Sequence, residues 1–280
     1  MTWRIAIHHR TVLEYESEVL ASFNEARMVP QSNDHQLVVQ HRTTVIPAAN
    51  VLSFDDYWGT TVEAFDLQAP HTSLEVVSES VVETSTRLRR TLDPGWEDFL
   101  TFDLRDEMCE YLLHTELAAP IPEVEGIAMR FSEAATPRIA VDAVVDFVGA
   151  RLGYLPGATN VSTTALEAWT SGSGVCQDFT HVTLSILRSL SIPCRYVSGY
   201  HYTGSGMVDD GNVGESHAWV EAWVGYWYPV DPTNGNEVGE RHVVVATGRD
   251  YHDVSPLRGI FSGGRSRSVD VRVTLTRLAR

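Results

Sequence analysis

The sequence has few cysteines, no long apolar run and an excess of acidic over basic residues. Its three cysteines, Cys109, Cys176 and Cys194, are too few and too widely spaced for a disulfide framework. No stretch reaches the roughly 18 consecutive apolar residues of a membrane-spanning helix, and the start lacks a basic segment followed by an apolar run. These absences predict a cytoplasmic protein without disulfides or membrane contact.

The charge balance restricts the class of partner. Acidic residues number 37 against 21 basic ones, a formal charge of −16, and such a field repels nucleic acid and anionic membranes. Hydrophobic residues make up 43% of the 280 residues, enough to build a core without a metal or cofactor. A chain of this length is expected to form two domains. The sequence does not indicate an oligomeric state.

Residues 1–92 are predicted to form an antiparallel β-sandwich-like domain. Apolar and polar residues alternate over residues 4–12, 36–46 and 74–83, and turn-forming residues separate these runs. The adjacent histidines His8 and His9 lie in the first run. Neighbouring strand residues point to opposite faces, so this pair is interpreted as ordinary strand residues and not as a metal site.

A change of composition near Asp93 predicts a domain boundary there. Residues 93–136 are interpreted as a helical connection that includes a short helix over 105–114, and residues 137–280 as an α+β domain. The first helix of that domain is predicted over 137–152, where Pro137 suits an initial turn and apolar residues share one face. Cys109, in the connecting segment, is expected to be a packed or idle thiol.

A loop of small residues, 171–174, leads to Cys176 and a predicted buried helix. Beyond Cys176, apolar residues follow spacings of three and four up to Leu190, and Pro193 marks the end. A thiol in a first helical turn lies beside unpaired N–H groups and the positive end of the helix dipole, which stabilise a thiolate. Cys176 is therefore the candidate nucleophile.

Two predicted strands supply the partners that a nucleophilic thiol needs. Residues 216–224 and 226–231 form a hairpin in which His217 and Asp231, each about seven residues from the turn, lie opposite or nearly opposite. A carboxylate orients a histidine and stabilises its imidazolium, which in turn stabilises a thiolate. Taken alone, His217 could equally be a buried core residue and Asp231 a turn-forming residue. Taken together with Cys176, the two residues predict a papain-type triad.

The remaining segments of this region carry weaker signals. Residues 192–200 are predicted to form a strand, with Cys194 in a structural role, and residues 203–214 to form a loop. No His, Cys or Asp cluster has metal-ligand spacing, so no metal and no cofactor is expected.

Several motifs resemble the bacterial transglutaminase-like cysteine proteases. The similar segments are Gly174-Val175-Cys176-Gln177-Asp178-Phe179, residues 192–200, Ser216-His217-Ala218-Trp219, Asp231-Pro232-Thr233-Asn234-Gly235 and, in the tail, residues 242–246, 248–251 and 256–259. Two features depart from the family: Cys194 replaces a small residue, and the turn at Val224 is short. The N-terminal third resembles the leading domain of this family.

The resemblance implies a transglutaminase-like core of papain type, with Cys176 as nucleophile, His217 as acid and base, and Asp231 as the group that orients His217. The expected activity is acyl transfer through a thioester, with hydrolysis of a peptide, isopeptide or carboxamide bond favoured over transamidation, so the expected partner is a peptide or protein substrate. The alternative hypothesis for the function is a non-catalytic, peptide-binding scaffold. The oxyanion is expected to contact the Cys176 N–H and a second donor, for which Gln177 and Trp169 are the candidates.

Overall fold

The computed structural model describes residues 2–86, 93–99, 101–204, 212–214, 216–235 and 237–279. The chain is mixed α+β, as predicted. Its N-terminal strands are β1 (Thr2–Ala26), β2 (Gln36–Ile46), β3 (Val51–Asp55), β4 (Thr61–Leu67) and β5 (His71–Ser85). The alternation of apolar and polar residues in this segment matches their alternating burial, because successive strand residues face opposite sides.

Short helices and the central helix follow. They are α1 (Trp96–Phe99), α2 (Phe102–Glu107), α3 (Cys109–Leu112), α4 (Pro122–Phe131), α5 (Pro137–Arg151), α6 (Ala165–Ser171) and α7 (Cys176–Ser189), with the two-residue strands β6 (Gly153–Tyr154) and β7 (Ser173–Gly174) between them. The helix predicted over residues 137–152 is confirmed as α5. The one predicted over 105–114 is split, since the chain turns at Met108 between α2 and α3.

The last third of the chain is mostly strand. It contains β8 (Cys194–His201), β9 (Asn212–Gly214), β10 (Ser216–Trp223), β11 (Trp227–Val230), β12 (His242–Gly248), the helix α8 (Tyr251–Val254), β13 (Leu257–Gly263) and β14 (Ser266–Leu278). Part of the predicted loop at residues 203–214 is thus a strand, β9, which pairs with β14.

The N-terminal sheet curls around its longest strand. β1 pairs with β5 and β14 over its first half, and its second half pairs with β4 and β13. The register shifts after Glu14, which lets one strand serve both halves. The C-terminal strands β13 and β14 therefore return to the N-terminal sheet. The division at residues 92 and 136 stays a prediction, and residue 92 itself lies outside the described residues.

The second sheet has the antiparallel order β11-β10-β8-β12 and packs against α7. Helix α7 is buried on nearly all sides, not on one face only: Phe179, His181 and Thr183 are all covered. Its threonines tolerate burial because Thr183 Oγ1 donates to the Phe179 carbonyl at 2.8 Å. One apolar core includes residues of α7 and β8 together with Ile5 and Ile7 of β1. This core fixes the position of Cys176 at the start of α7.

Candidate active site

Cys176 is the first residue of α7, and its thiol is partly exposed. Helix α6 ends at Gly172, whose φ of 70° is the left-handed conformation that suits glycine. The chain then enters α7 through Val175, whose N–H donates to Asp178 Oδ2 at 2.7 Å. A Cβ at Gly174 would lie 2.5 Å from the same oxygen. The glycine at 174 is thus required by the Asp178 carboxylate, which packs over it and holds the helix entry.

His217 and Asp231 are brought together by the hairpin of β10 and β11. Val220 pairs with Val230, so the register places His217 diagonally across from Asp231 and on the same face. His217 Nε2 lies 2.7 Å from Asp231 Oδ2. Only 10% of the His217 side chain is exposed, and the Asp231 side chain is fully buried.

The Cys176 side chain is the second group that acts on the His217 ring. Since Nε2 is directed to Asp231, Nδ1 is the ring nitrogen that remains for the thiol. Burial alone would lower the pKa of His217, but the hydrogen bonds with Asp231 and Cys176 outweigh it and raise the pKa to about 9. The three side chains predicted from sequence therefore form one connected chain, and its histidine favours the imidazolium.

Asp231 is surrounded by donors. Its Oδ2 accepts from His217, from Asn234 Nδ2 at 2.9 Å and from His242 Nε2 at 3.4 Å. Its Oδ1 accepts from the backbone N–H groups of Thr233 at 3.0 Å and Asn234 at 3.2 Å. Burial opposes ionisation of this carboxyl, but these hydrogen bonds prevail and hold its pKa well below the usual range. Asp231 is therefore a fixed anion.

His242, His201 and Asn234 are site residues that sequence reasoning did not assign. Gly239 N–H lies 3.3 Å from His242 Nδ1, which makes Nδ1 the acceptor and leaves the proton on Nε2, facing Asp231. The His201 ring stacks on the His242 ring with centroids 4.3 Å apart. Burial first, then the neighbouring His242, lowers the pKa of His201 to about 3. His242 lies in a motif that the resemblance quoted, but only the fold shows its contact with Asp231.

These histidines also bear on metal binding. Sequence spacing indicated no metal cluster, yet the ligand atoms of His201, His217, Asp231 and His242 all lie within 4.8 Å of one another. The Asn234 amide nitrogen lies among them, 3.3 Å from His217 Nε2 and 3.4 Å from His201 Nδ1. The cluster is therefore a hydrogen-bonded network that also has the composition of a metal site.

Both candidates for a second oxyanion donor are engaged elsewhere. Gln177 Nε2 donates to the Val161 carbonyl at 3.2 Å, and Trp169 Nε1 donates to Glu123 Oε2 at 3.1 Å. The expectation for these two side chains is therefore wrong, because each one anchors a neighbouring segment. The backbone N–H of Cys176 is left by helix geometry without an intrahelical acceptor and keeps its predicted position beside the thiol.

The other cysteines differ from Cys176 in their surroundings. Cys194 is fully buried, its Sγ lies 3.7 Å from the Leu184 carbonyl, and burial raises its pKa to about 11. Cys109 is exposed, at the start of α3. His8 and His9 point to opposite faces of β1, as predicted. His8 is exposed, whereas His9 is buried and its Nδ1 lies 2.8 Å from the Tyr200 hydroxyl.

A separate cleft lies along β11 and its neighbours. It is lined by Trp223, Trp227, Arg195 and Glu221 and reaches Asp231, but neither Cys176 nor His217 contributes to its wall. Arg195 bonds Glu221 at 2.6 Å and stacks on the Trp227 ring. This cleft therefore borders the site without containing the thiol. Within the described residues, no helix is long and apolar enough to cross a membrane.

Comparisons with known proteins match both parts of the fold. The model of the transglutaminase-like superfamily matches residues 125–232, which include Cys176, His217 and Asp231, and the model of the bacterial transglutaminase-like N-terminal region matches residues 5–83. An uncharacterized protein of Mycobacterium leprae is 44% identical over 278 residues, covering 99% of this chain and 100% of the relative. An uncharacterized protein of Mycobacterium tuberculosis is 30% identical, covering 97% of this chain and 92% of the relative.

Among solved structures, a proposed cysteine protease from Cytophaga hutchinsonii is similar over the full length. It covers 99% of this chain and 98% of its own, with a TM-score of 0.78 and 20% sequence identity. At that identity the likeness concerns the fold, including the N-terminal sheet as well as the core.

Proposed function

Since this chain belongs to the transglutaminase-like superfamily, we propose that it is a cysteine-dependent acyl-transfer enzyme that hydrolyses a peptide, isopeptide or carboxamide bond. The observation that carries the proposal is the connected chain from Cys176 through His217 to Asp231, with Nε2 of the histidine 2.7 Å from the carboxylate. An imidazolium held between a thiol and a buried anion is the arrangement that activates a cysteine nucleophile.

The reaction begins with attack of the Cys176 thiolate on the carbonyl carbon. The carbonyl electron pair moves to oxygen, and the Cys176 backbone N–H, at the first turn of α7, donates to that oxyanion. Collapse of the tetrahedral intermediate expels an amine, which takes the proton from His217, and a thioester remains. Neutral His217 then removes a proton from water, the water oxygen attacks the thioester, and the thiolate leaves with His217 protonated again. Asp231 keeps the ring orientation throughout.

Transamidation differs only in the second nucleophile, an amine in place of water. The triad serves both outcomes, and the shape of the cleft and its exclusion of water select between them. We favour hydrolysis because no group in the described residues marks a dedicated amine site. The sequence contains no lysine, since all 21 basic residues are arginine. Any lysine adduct formed in an assay therefore belongs to the substrate and not to the enzyme.

Alkylation by iodoacetamide tests the activated thiol. In a Cys109→Ser background only Cys176 and the fully buried Cys194 remain, so the rate reports on Cys176. A thiol of ordinary acidity is only a few per cent ionised at pH 7. His217→Ala is therefore expected to slow alkylation by at least about tenfold, and His8→Ala, which removes an exposed histidine of β1, is the matched control. Equal rates in both variants would refute the ion pair and favour the non-catalytic scaffold.

A second experiment separates hydrolysis from transamidation and finds the substrate. Cys176→Ala protein serves as bait for peptides and proteins, and captured candidates are then incubated with the wild-type enzyme and a fluorescent primary amine. Cleavage without label is the expected result. Label on the substrate at high amine concentration would establish transamidation instead. We also propose a cytoplasmic location, supported by the three free thiols, which fractionation of the source cells tests.

A further inference from the structure

We propose that the side chains around Asp231 form a binding site for a divalent transition-metal ion, with His201, His217, Asp231 and His242 as ligands. Occupancy of this site withdraws His217 and Asp231 from Cys176 and thereby switches the thiol off. The binding part stands on geometry alone, whereas the switching part rests on the proposed function.

The ligand set and its spacing match such an ion. Three imidazoles and one carboxylate are ligands of Zn²⁺ and its neighbours, at metal–nitrogen distances of about 2.0–2.1 Å. A tetrahedral site then needs ligand atoms roughly 3.3 Å apart. His217 Nε2 and His242 Nε2 lie 2.7 and 3.4 Å from Asp231 Oδ2, and all four ligand atoms are within 4.8 Å of one another. Small side-chain rotations are enough to close the shell.

The ligands are held on adjacent strands of one sheet. His201 ends β8 and pairs directly with His242, the first residue of β12. On the other side of β8, His217 of β10 pairs with Gly199. The strand order β10-β8-β12 therefore fixes all three histidines before any ion binds, and sites built on strands hold their geometry better than sites on loops.

Asn234 marks the position of the ion. Its Nδ2 lies 2.9 Å from Asp231 Oδ2 and within 3.4 Å of His217 Nε2 and His201 Nδ1, so a positively polarised NH₂ group contacts three of the four ligand atoms. The residue is exposed and lies in the segment after Asp231. Rotation of this side chain toward solvent opens the cluster to an ion, which takes over the contacts that the amide makes.

Binding changes the proton positions on both histidines that face Asp231. When the ion occupies Nε2 of His217, the ring proton resides on Nδ1, the nitrogen next to Cys176, and that nitrogen no longer accepts a proton. For His242 the proton moves to Nδ1 as well, at the expense of the contact from Gly239 N–H, which at 3.3 Å is long. Binding therefore displaces the Nε2 proton of His217 and replaces the hydrogen bonds from His217 and Asn234 to Asp231 Oδ2, besides the weak Gly239 contact. The bonds to the ion must offset these losses, and the consequence is loss of the acid–base function of His217.

Co²⁺ spectroscopy tests the binding independently of activity. Cys176→Ser protein, titrated with Co²⁺, is expected to show the visible absorption of tetrahedral cobalt. His201→Asn is expected to weaken binding by at least about 100-fold, because it removes a ligand, and His8→Asn is the matched control. Asn234→Ala is expected to strengthen binding by at least about tenfold, the factor that one lost competing hydrogen bond represents. Absence of tetrahedral absorption, or equal affinity in the His201 and His8 variants, would overturn the site.

The switching part is tested by Zn²⁺ in the Cys109→Ser background. Zn²⁺ is expected to slow alkylation of Cys176 by at least about tenfold, and His201→Asn to abolish this protection. Two results together would place the metal on the thiol and refute the proposal. The first is that Zn²⁺ slows alkylation of Cys176 equally in His201→Asn. The second is a sulfur-to-cobalt charge-transfer band in Co²⁺-loaded protein that retains Cys176. If cobalt binds as expected but Cys176 is unreactive even without metal, the proposed function fails and the metal site stands.

Discussion

Asp231→Asn is the substitution whose effect follows most directly from the site geometry. Asparagine keeps the size of the side chain but removes the negative charge 2.7 Å from His217 Nε2. Burial favours neutral His217, and the hydrogen bond and charge of Asp231 are the main reasons that the pKa nevertheless stands at about 9. Without the anion, burial dominates, and we expect the pKa of His217 to fall below its ordinary value of 6.5.

The size of this effect is large for one substitution. A fall from about 9 to 6.5 corresponds to about 3 kcal/mol of interaction that favours the imidazolium. Because the pKa is raised in the folded state, the associated stabilisation is complete below pH 6.5 and is lost as the pH rises through 9. The free energy of unfolding of the wild-type protein should therefore decrease between pH 6.5 and 9. Asp231→Asn lacks this stabilisation at every pH, so its free energy of unfolding should not show the same decrease.

Imidazole ¹⁵N chemical shifts measure this titration directly. The His217 signals are assigned by their disappearance in His217→Gln, and the wild-type midpoint is expected near pH 9. Cys176→Ser separates the two contributions: the midpoint should fall only partway, because Asp231 remains. A wild-type midpoint near 6.5, or an unchanged midpoint in Asp231→Asn, would refute the ion-pair chain.

Three further predictions concern residues around the triad. His242→Gln keeps a hydrogen-bond donor near Asp231 but does not hold it in the fixed position of the imidazole. Turnover is therefore expected to fall by about tenfold, and the His217 titration midpoint is expected to shift. An unmoved midpoint would show that His242 only fills space. Gln36→Ala leaves both backbone groups of Val244 without the side chain that bonds them at 2.8 Å, and thermal or urea unfolding should show a loss of about 2 kcal/mol or more. Gln36→Glu keeps the acceptor for Val244 N–H but turns an anionic oxygen toward the carbonyl oxygens of Gln31 and Val244, so it should lose at least as much. Gly199→Ala places a Cβ against the backbone of β12 and should cost about 1–3 kcal/mol of unfolding free energy, whereas Gly239→Ala, with open space around it, should be near neutral.

The parts of the fold that sequence predicted are those with local signals. The spacing of apolar residues and Pro137 predicted α5 to within a residue, and the pattern after Cys176 predicted α7. The register of the β10–β11 hairpin was also accessible, because a short turn leaves few alternatives and a slip of one residue would place His217 and Asp231 on opposite faces. The triad could therefore be assembled from two local elements.

The parts that sequence missed depend on long-range pairing. His201 and His242 are 41 positions apart and meet only because β12 pairs with β8, a connection that no local pattern encodes. The same reason explains why no local pattern predicted that β13 and β14 pair with β1. Gln177 and Trp169 failed as oxyanion donors because side-chain partners, here Val161 and Glu123, are set by tertiary contacts.

The N-terminal sheet contributes to the order of the site. Buried His9 of β1 bonds the Tyr200 hydroxyl of β8, one residue before His201, and burial lowers the pKa of His9 to about 4, so this bond is made by a neutral ring. Gln36, the first residue of β2, bonds both backbone groups of Val244, two residues after His242. The two strands that carry the histidines behind the triad are therefore each bonded to the N-terminal sheet. A domain that only recruited substrate would not need such contacts, so the sheet acts as a structural support for Asp231 and its histidines.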